Sequence, residues 1–136
     1  MCCFGVRKEN LTKRVYKDGR TEFYLNNVLH NEDGPAIICG SRKEWWFHGM
    51  RHREDKPAVE YSDGSKEWWF HGMRHREKNK PAVIRYHYSF QLQCSIIEEE
   101  YWIYDKKHRE NGPAIIKADG VTEWWSYGKK IKSKQN

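Results

Sequence analysis

Long apolar runs are missing from this sequence. No stretch of about 18 apolar residues occurs in the chain, so no transmembrane helix is expected. The start, Met1-Cys2-Cys3-Phe4-Gly5-Val6-Arg7-Lys8, lacks the apolar core of a signal peptide, so export is not expected either. Asn10-Leu11-Thr12 fits a glycosylation sequon, which carries no meaning in a chain that is not exported. Aliphatic residues are scarce: Leu, Ile, Val and Phe make up only 24 of the 136 residues. A chain so poor in them, with high net charge, would be disordered. The charge here is modest, and 7 Trp with 8 Tyr supply apolar area that the aliphatic count misses. A thin aromatic core is expected rather than a thick aliphatic globule.

Cysteine pairing is lacking too. Cys2, Cys3, Cys39 and Cys94 form no CxxC pair and fit neither a zinc knuckle nor a disulfide framework. They read as reduced thiols of an intracellular protein, in a host cytoplasm if the chain is viral. A sharper reading makes Cys2 and Cys3 lipid-modified beside basic residues. The basic excess, 25 Lys and Arg against 19 Asp and Glu, gathers at the end of the chain in Lys129, Lys130, Lys132 and Lys134. A nucleic-acid binder carries its charge as a face or stripe, and this near-neutral body does not.

What the chain does have is a repeat. Glu44-Trp45-Trp46-Phe47-His48-Gly49-Met50-Arg51-His52-Arg53-Glu54 returns unchanged 23 residues later, from Glu67 to Glu77. Weaker copies begin at Glu22, Glu100 and Glu123. A histidine follows each leading Glu by eight residues (His30, His52, His75, His108), with Ile131 in its place in the last copy. Farther on comes Pro-Ala followed by Val or Ile, at Pro35, Pro57, Pro81 and Pro113.

Each unit predicts two short strands. Glu-aromatic-aromatic opens the first, a turn falls at Gly49, Gly72 or Gly128, and Pro-Ala-Val/Ile opens the second. Asp18-Gly19, Asp63-Gly64 and Asp119-Gly120 then join one unit to the next through hairpin turns. No helical period is visible. The chain is expected to be all-β: an antiparallel meander of tandem hairpins in one twisted or curved sheet. An N-terminal segment would span residues 1–14, the array 15–131 and a basic tail 132–136.

The motif Glu-Trp-Trp-x-x-Gly-x-x-His-Arg-Glu-Asp/Asn-x-Pro-Ala resembles the divergent MORN-type repeats found in tandem in giant DNA viruses and in some bacterial proteins. The resemblance covers roughly residues 15–131. It implies a single-layer meander that acts as a scaffold or interaction surface and often self-associates. It also implies a possible tie to phospholipid membranes. In place of the glycines that flank the aromatics of the common eukaryotic form, this chain carries Glu and a second Trp.

Alternation along a strand divides the aromatics between two faces. Phe23, Trp45, Trp68, Tyr101 and Trp124 fall on one, which is expected to be inside. Tyr24, Trp46, Trp69, Trp102 and Trp125 fall on the other and form the candidate interaction surface. His48/His52 and His71/His75 have the spacing of a metal pair. The first His is not kept in the other copies, and the second recurs within His52-Arg53-Glu54, His75-Arg76-Glu77 and His108-Arg109-Glu110. These read as a structural motif, with Arg and Glu of adjacent units pairing. A motif repeated in near-equal settings offers no asymmetric catalytic pocket. No metal, no cofactor and no enzymatic activity are expected.

One segment breaks the period. Between Pro81 and Glu100, residues 84–97 hold an inserted strand with apolar side chains at even positions: Tyr86, Tyr88, Phe90, Leu92, Cys94 and Ile96. It has no Gly, Pro, Asn or Asp. Either a long hairpin turns near Ser89 to Gln93, or the strand runs on and pairs with a second chain. A homodimer through this segment is the expectation. The resulting picture is a non-enzymatic scaffold with a protein partner. Its alternative is a peripheral binder of anionic membrane, and nucleic-acid binding is the least expected.

Overall fold

The computed structural model describes residues 10–133. It is an antiparallel all-β meander that does not close into a barrel. The lengthwise sheet contains β1 (Leu11–Val15), β2 (Thr21–Leu25), β4 (Ile37–Cys39), β5 (Arg42–Glu44), β8 (Val59–Tyr61) and β9 (Lys66–Glu67). It continues through β12 (Val83–Ser89), β13 (Cys94–Glu100), β16 (Ile115–Ile116), β17 (Thr122–Ser126) and β18 (Lys129–Ile131), in that order. Five short hairpins lie to one side. They use the ends of β2 and β17, with β3 (Val28–Leu29), β6 (Trp46–Phe47), β7 (Met50–Arg51), β10 (Trp69–Phe70), β11 (Met73–Arg74), β14 (Trp102–Ile103) and β15 (Lys106–Lys107). The Cys2 and Cys3 reading and the last part of the tail lie outside the described residues.

Two kinds of turn alternate along the chain. At Asp18-Gly19, Asp63-Gly64 and Asp119-Gly120 the glycine alone has positive φ, and its N–H bonds the carbonyl three residues back (3.0, 3.1 and 2.9 Å). The aspartate side chain accepts the N–H two residues on, as Ser65 N does from Asp63 at 2.8 Å. These are three-residue loops closed by a left-handed glycine, not two-residue turns. The side hairpins are the two-residue kind: His48-Gly49 has φ of 46° and 80°, and His71-Gly72 repeats the pair at 46° and 80°. Positive φ at both central residues matches the right-handed twist of the arms.

In the three middle units the strand breaks at the first aromatic. Trp45 donates its N–H to Ala58 in the main sheet (2.8 Å), while its carbonyl receives His52 N–H from its own hairpin (3.1 Å). Trp68 repeats this with Ala82 and His75, and Tyr101 with Ala114 and His108. The chain therefore changes partner at this residue, and straight alternation does not carry past it.

The core is a line rather than a globule. Directly paired residues form one row across the sheet: Glu22, Ile37, Glu44, Val59, Glu67, Val83, Glu100, Ile115, Glu123. Val59, Val83 and Ile115 in it are buried, as are Ala36, Ala58, Ala82 and Ala114 beside the hairpins. Of the row's carboxylates Glu22 and Glu44 are buried and Glu67, Glu100 and Glu123 half-buried, and a carboxylate taken from water in this way needs hydrogen-bond donors.

Candidate functional site

The carboxylates of that row anchor the aromatic ladder. Glu44 accepts Trp46 Nε1–H at 3.1 Å, and Glu67, Glu100 and Glu123 accept Trp69, Trp102 and Trp125 at 2.9, 2.8 and 3.0 Å. In the first unit Tyr24 OH donates to Glu22. From the opposite side Tyr16, Arg42, Tyr61, Arg85 and Lys117 reach Glu22, Glu44, Glu67, Glu100 and Glu123 respectively. The donor from Tyr24 holds the Glu22 carboxyl below its ordinary range and pushes the Tyr24 hydroxyl up to about 12. Burial raises the Glu100 carboxyl, but bonds from Arg85 and Trp102 outweigh it and the net direction is down. Lowered carboxyl groups lend stability above their unfolded value of 4.5, and it is lost as pH falls through the folded value.

The outward ladder is occupied by the chain's own cations. Arg51 sits between Trp46 and Trp69 (5.1 and 5.2 Å to the ring centroids), and Arg74 between Trp69 and Trp102 (4.8 and 5.5 Å). Lys107 bridges Trp102 and Trp125, Lys130 covers the far side of Trp125, and Arg14 covers Tyr24. All five ladder residues are half-buried. In the other set Trp68 and Tyr101 are buried and Phe23, Trp45 and Trp124 half-buried, so neighbours cover part of both sets. Two cations attend each of Trp69, Trp102 and Trp125, and one attends each of Trp46 and Tyr24, so cations already hold much of the ladder's π-surface.

His-Arg-Glu also differs from the sequence reading. Arg53, Arg76 and Arg109 lie flat on Trp45, Trp68 and Tyr101 at 3.8, 3.7 and 3.8 Å. Each donates to its own unit's proline carbonyl, at Pro57, Pro81 and Pro113, where Asn31 does the same for Pro35. Glu54, Glu77 and Glu110 are exposed, and Arg53 takes Glu60 as its ion partner at 3.0 Å. Arg and Glu of successive motifs are thus not joined. The pairing fails because the arginine is spent on fixing the Pro-Ala strand beneath it.

The histidines that meet are not the ones at metal spacing. His52 Nδ1 accepts His71 N–H (3.1 Å) from the next unit, with the two rings stacked at 4.1 Å. His30 holds His48 N–H, His75 holds Tyr104 N–H and His108 holds Tyr127 N–H, at 3.0, 3.2 and 3.3 Å. The motif histidine is therefore an inter-unit contact, which its recurrence signals but its partner's position does not. Among the described residues no group of three or more His, Cys, Asp or Glu is placed to hold a metal ion.

The inserted segment folds back on itself as a hairpin, with Ser89 opposite Cys94 and residues 90–93 as the loop. Ser89 Oγ accepts Leu92 N–H at 3.3 Å. Its strand pairing outward is confined to the base, Val83 and Ile84 with β9 and Glu99 and Glu100 with β16, and Tyr86 N–H adds a bond to Ser65 Oγ at 3.1 Å. Residues 85–98 thus project as a two-stranded arm. Its tip is bare: Phe90 is 87%, Leu92 66% and Tyr88 59% exposed. The six even-numbered apolar residues do not share a face. Tyr86 opposes Ile97 and Tyr88 opposes Ser95, while Ile96 opposes His87 and Cys94 opposes Ser89. A loop of four residues pairs even with odd positions, so Tyr86 and Tyr88 stand on one side and Cys94 and Ile96 on the other.

Three clefts follow the repeat. One of about 380 Å³ is lined by Trp68, Trp69, Arg76 and Glu77, a second of about 360 Å³ by Trp45, Trp46, Arg53 and Glu54, and a third of about 550 Å³ by Phe23, Leu25, Asn31 and Glu32. They are one groove repeated at unit spacing. No helix of the described residues is long and apolar enough to cross a membrane. No protein-family model, curated protein or solved structure matches the chain.

Proposed function

We propose that this chain is a non-enzymatic, MORN-like repeat scaffold of an intracellular compartment that binds protein and homodimerises through the segment 84–97, nearly all of which lies in the projecting arm. The observation that carries the reading is the bare apolar tip on a two-stranded arm. Such an arm is marginal alone in water, and its unpaired edges invite another strand. The two ends of the sheet carry Lys13 and Arg14 in β1 and Lys129 and Lys130 in β18, whereas residues 94–97 carry no charge. Charged edges discourage pairing and uncharged ones permit it. The Trp ladder, filled by the chain's own cations, supports a structural part for Trp46, Trp69, Trp102 and Trp125 and leaves the arm as the docking element. Free Cys39 and Cys94 fit a reducing compartment.

Absolute mass by light scattering over a hundredfold concentration range tests it. The chain is expected at twice its 16.5 kDa, and Phe90→Asp with Leu92→Asp at 16.5 kDa with an unchanged β spectrum. A dimer that survives the double substitution overturns this interface, and a wild-type monomer at every concentration overturns the dimer. Pelleting of the wild-type monomer with anionic vesicles would then favour the membrane reading.

A further inference from the structure

Every junction between units carries the same contact. The motif histidine turns Nδ1 toward the first turn N–H of the next hairpin. Its ring stacks on that residue's ring at the last three junctions and lies tilted against it, at 41°, at the first. The accepting nitrogen must be unprotonated, because a protonated imidazole has two donors and no acceptor. The main sheet is joined by amide–carbonyl bonds such as Ala58 N–H to Glu67 and Ala82 N–H to Glu100, both 2.8 Å. These contain nothing that titrates in mild acid.

We propose that the four histidine–amide contacts are proton-released clasps, so that mild acid loosens the row of side hairpins from one another while the main sheet stays paired. The surroundings of each ring fit this part. His30 Nε2 lies 3.5 Å from Glu32 and His75 Nε2 lies 3.7 Å from Glu77. A carboxylate on the Nε2 side keeps the proton there and leaves the Nδ1 lone pair to the amide. His30 also faces His48, in a cleft with Lys13 and Asp33. His52 faces His71 and Phe70, with Glu32, Arg53 and Glu54 along its cleft. His75 faces Tyr104 and Phe70, beside Glu54, Asp55, Arg53, Arg76, Lys78 and Lys80. His108 stacks on Tyr127 at 3.9 Å, with no carboxylate within ion-pair distance among the described residues.

Protonation at Nδ1 sets an N–H against an N–H, and at the first two junctions it places a cation against a second imidazole. Burial first, and His71 second, hold His52 below the ordinary imidazole value of 6.5. A lowered folded value means that the unfolded chain binds more protons below 6.5, so the clasp's stability is present above that pH and lost below it. In the fifth unit Ile131 stands where the histidine would be, and an aliphatic side chain cannot form this clasp.

Amide hydrogen exchange on the full chain between pH 7.5 and 5.5, corrected for intrinsic rates, tests the clasps. Protection of the His48, His71, Tyr104 and Tyr127 amides is expected to fall about tenfold per pH unit once the imidazoles charge, the slope for one proton. Ala58, Ala82 and Ala114 are expected to keep theirs. An equal fall in both sets, or none in the first, overturns the proposal. In His52→Gln/His75→Gln/His108→Gln the acid loss at the last three junctions should vanish. If that variant does not fold, the wild-type imidazole nitrogens decide: the Nε2–H tautomer at pH 7.5 upholds the clasp and the Nδ1–H tautomer overturns it.

Discussion

At the scale of single residues, the least expected placement is a carboxylate at the centre of the sheet. Glu44 is 1% exposed. It accepts Trp46 Nε1–H and Arg51 Nε–H (2.8 Å), and Arg42 Nε lies 2.7 Å away at an angle too bent for a hydrogen bond. The two arginines are partly exposed, so water can take over part of their solvation when the carboxylate is lost. Glu44→Ala is therefore expected to cost about 2–3 kcal/mol, the range for removing an acceptor from charged and buried donors. Glu54→Ala removes an exposed carboxylate of the most visible motif and should fall within about 0.5 kcal/mol of wild type. Urea denaturation of the two variants separates them. Equal effects would mean that the Glu row is not what fixes the indoles. The sequence reading weighted these residues the other way, because Glu54 and Glu77 recur within a conspicuous motif. Repetition identifies a junction, but it does not say which residue of the junction is buried.

At the scale of elements, the turns were legible and the pairings only partly so. Glycine announces positive φ, and Gly49, Gly72 and Gly128 lie at φ of 80°, 80° and 83°. At Gly72 an added Cβ would meet Met50 at an ordinary 3.6 Å, so the strain of Gly72→Ala comes from the left-handed backbone alone. It is expected to cost about 1–2 kcal/mol. At Gly40, which lacks that conformation and has nothing within 4 Å, Gly40→Ala should be neutral or stabilise by up to about 1 kcal/mol. Opposite signs in thermal melts would support two-residue hairpins, and matching signs would remove them. Alternation alone does not fix the faces at two places, for two reasons: a strand may change its partner, and a hairpin's loop length sets which arm positions face each other. Trp45, Trp68 and Tyr101 change partner, and nothing in their side chains marks the change. In the inserted segment the loop length alone decides which residues share a face. Phe90-Gln91-Leu92-Gln93 has no glycine to fix that length, although Gln93 takes φ of 51°.

For the whole molecule, stability is a sum over neighbours. The Glu row, the cation-filled ladder and the histidine contacts all join one unit to the next, and among the described residues no second layer covers distant units together. In such an array each unit contributes its own stability and two interfaces. Removing one complete period should therefore leave a folded chain. Deleting residues 44–66 joins Lys43 to Glu67, which then faces the neighbours that Glu44 had, and Trp69 follows Glu67 as Trp46 followed Glu44. The array shortens without any new kind of junction. The shortened chain is expected to keep its β spectrum, with a urea m-value lower by about one sixth, since m follows the surface exposed on unfolding. Deleting about half a period instead, residues 44–55, brings Lys43 onto the Pro-Ala strand and removes one side hairpin with its carboxylate, its indole and its histidine. That chain has no register in which the remaining hairpins stack, and it should lose cooperative unfolding. If both deletions unfolded alike, the units would not be interchangeable, and a core shared across the whole chain would have to replace the nearest-neighbour account.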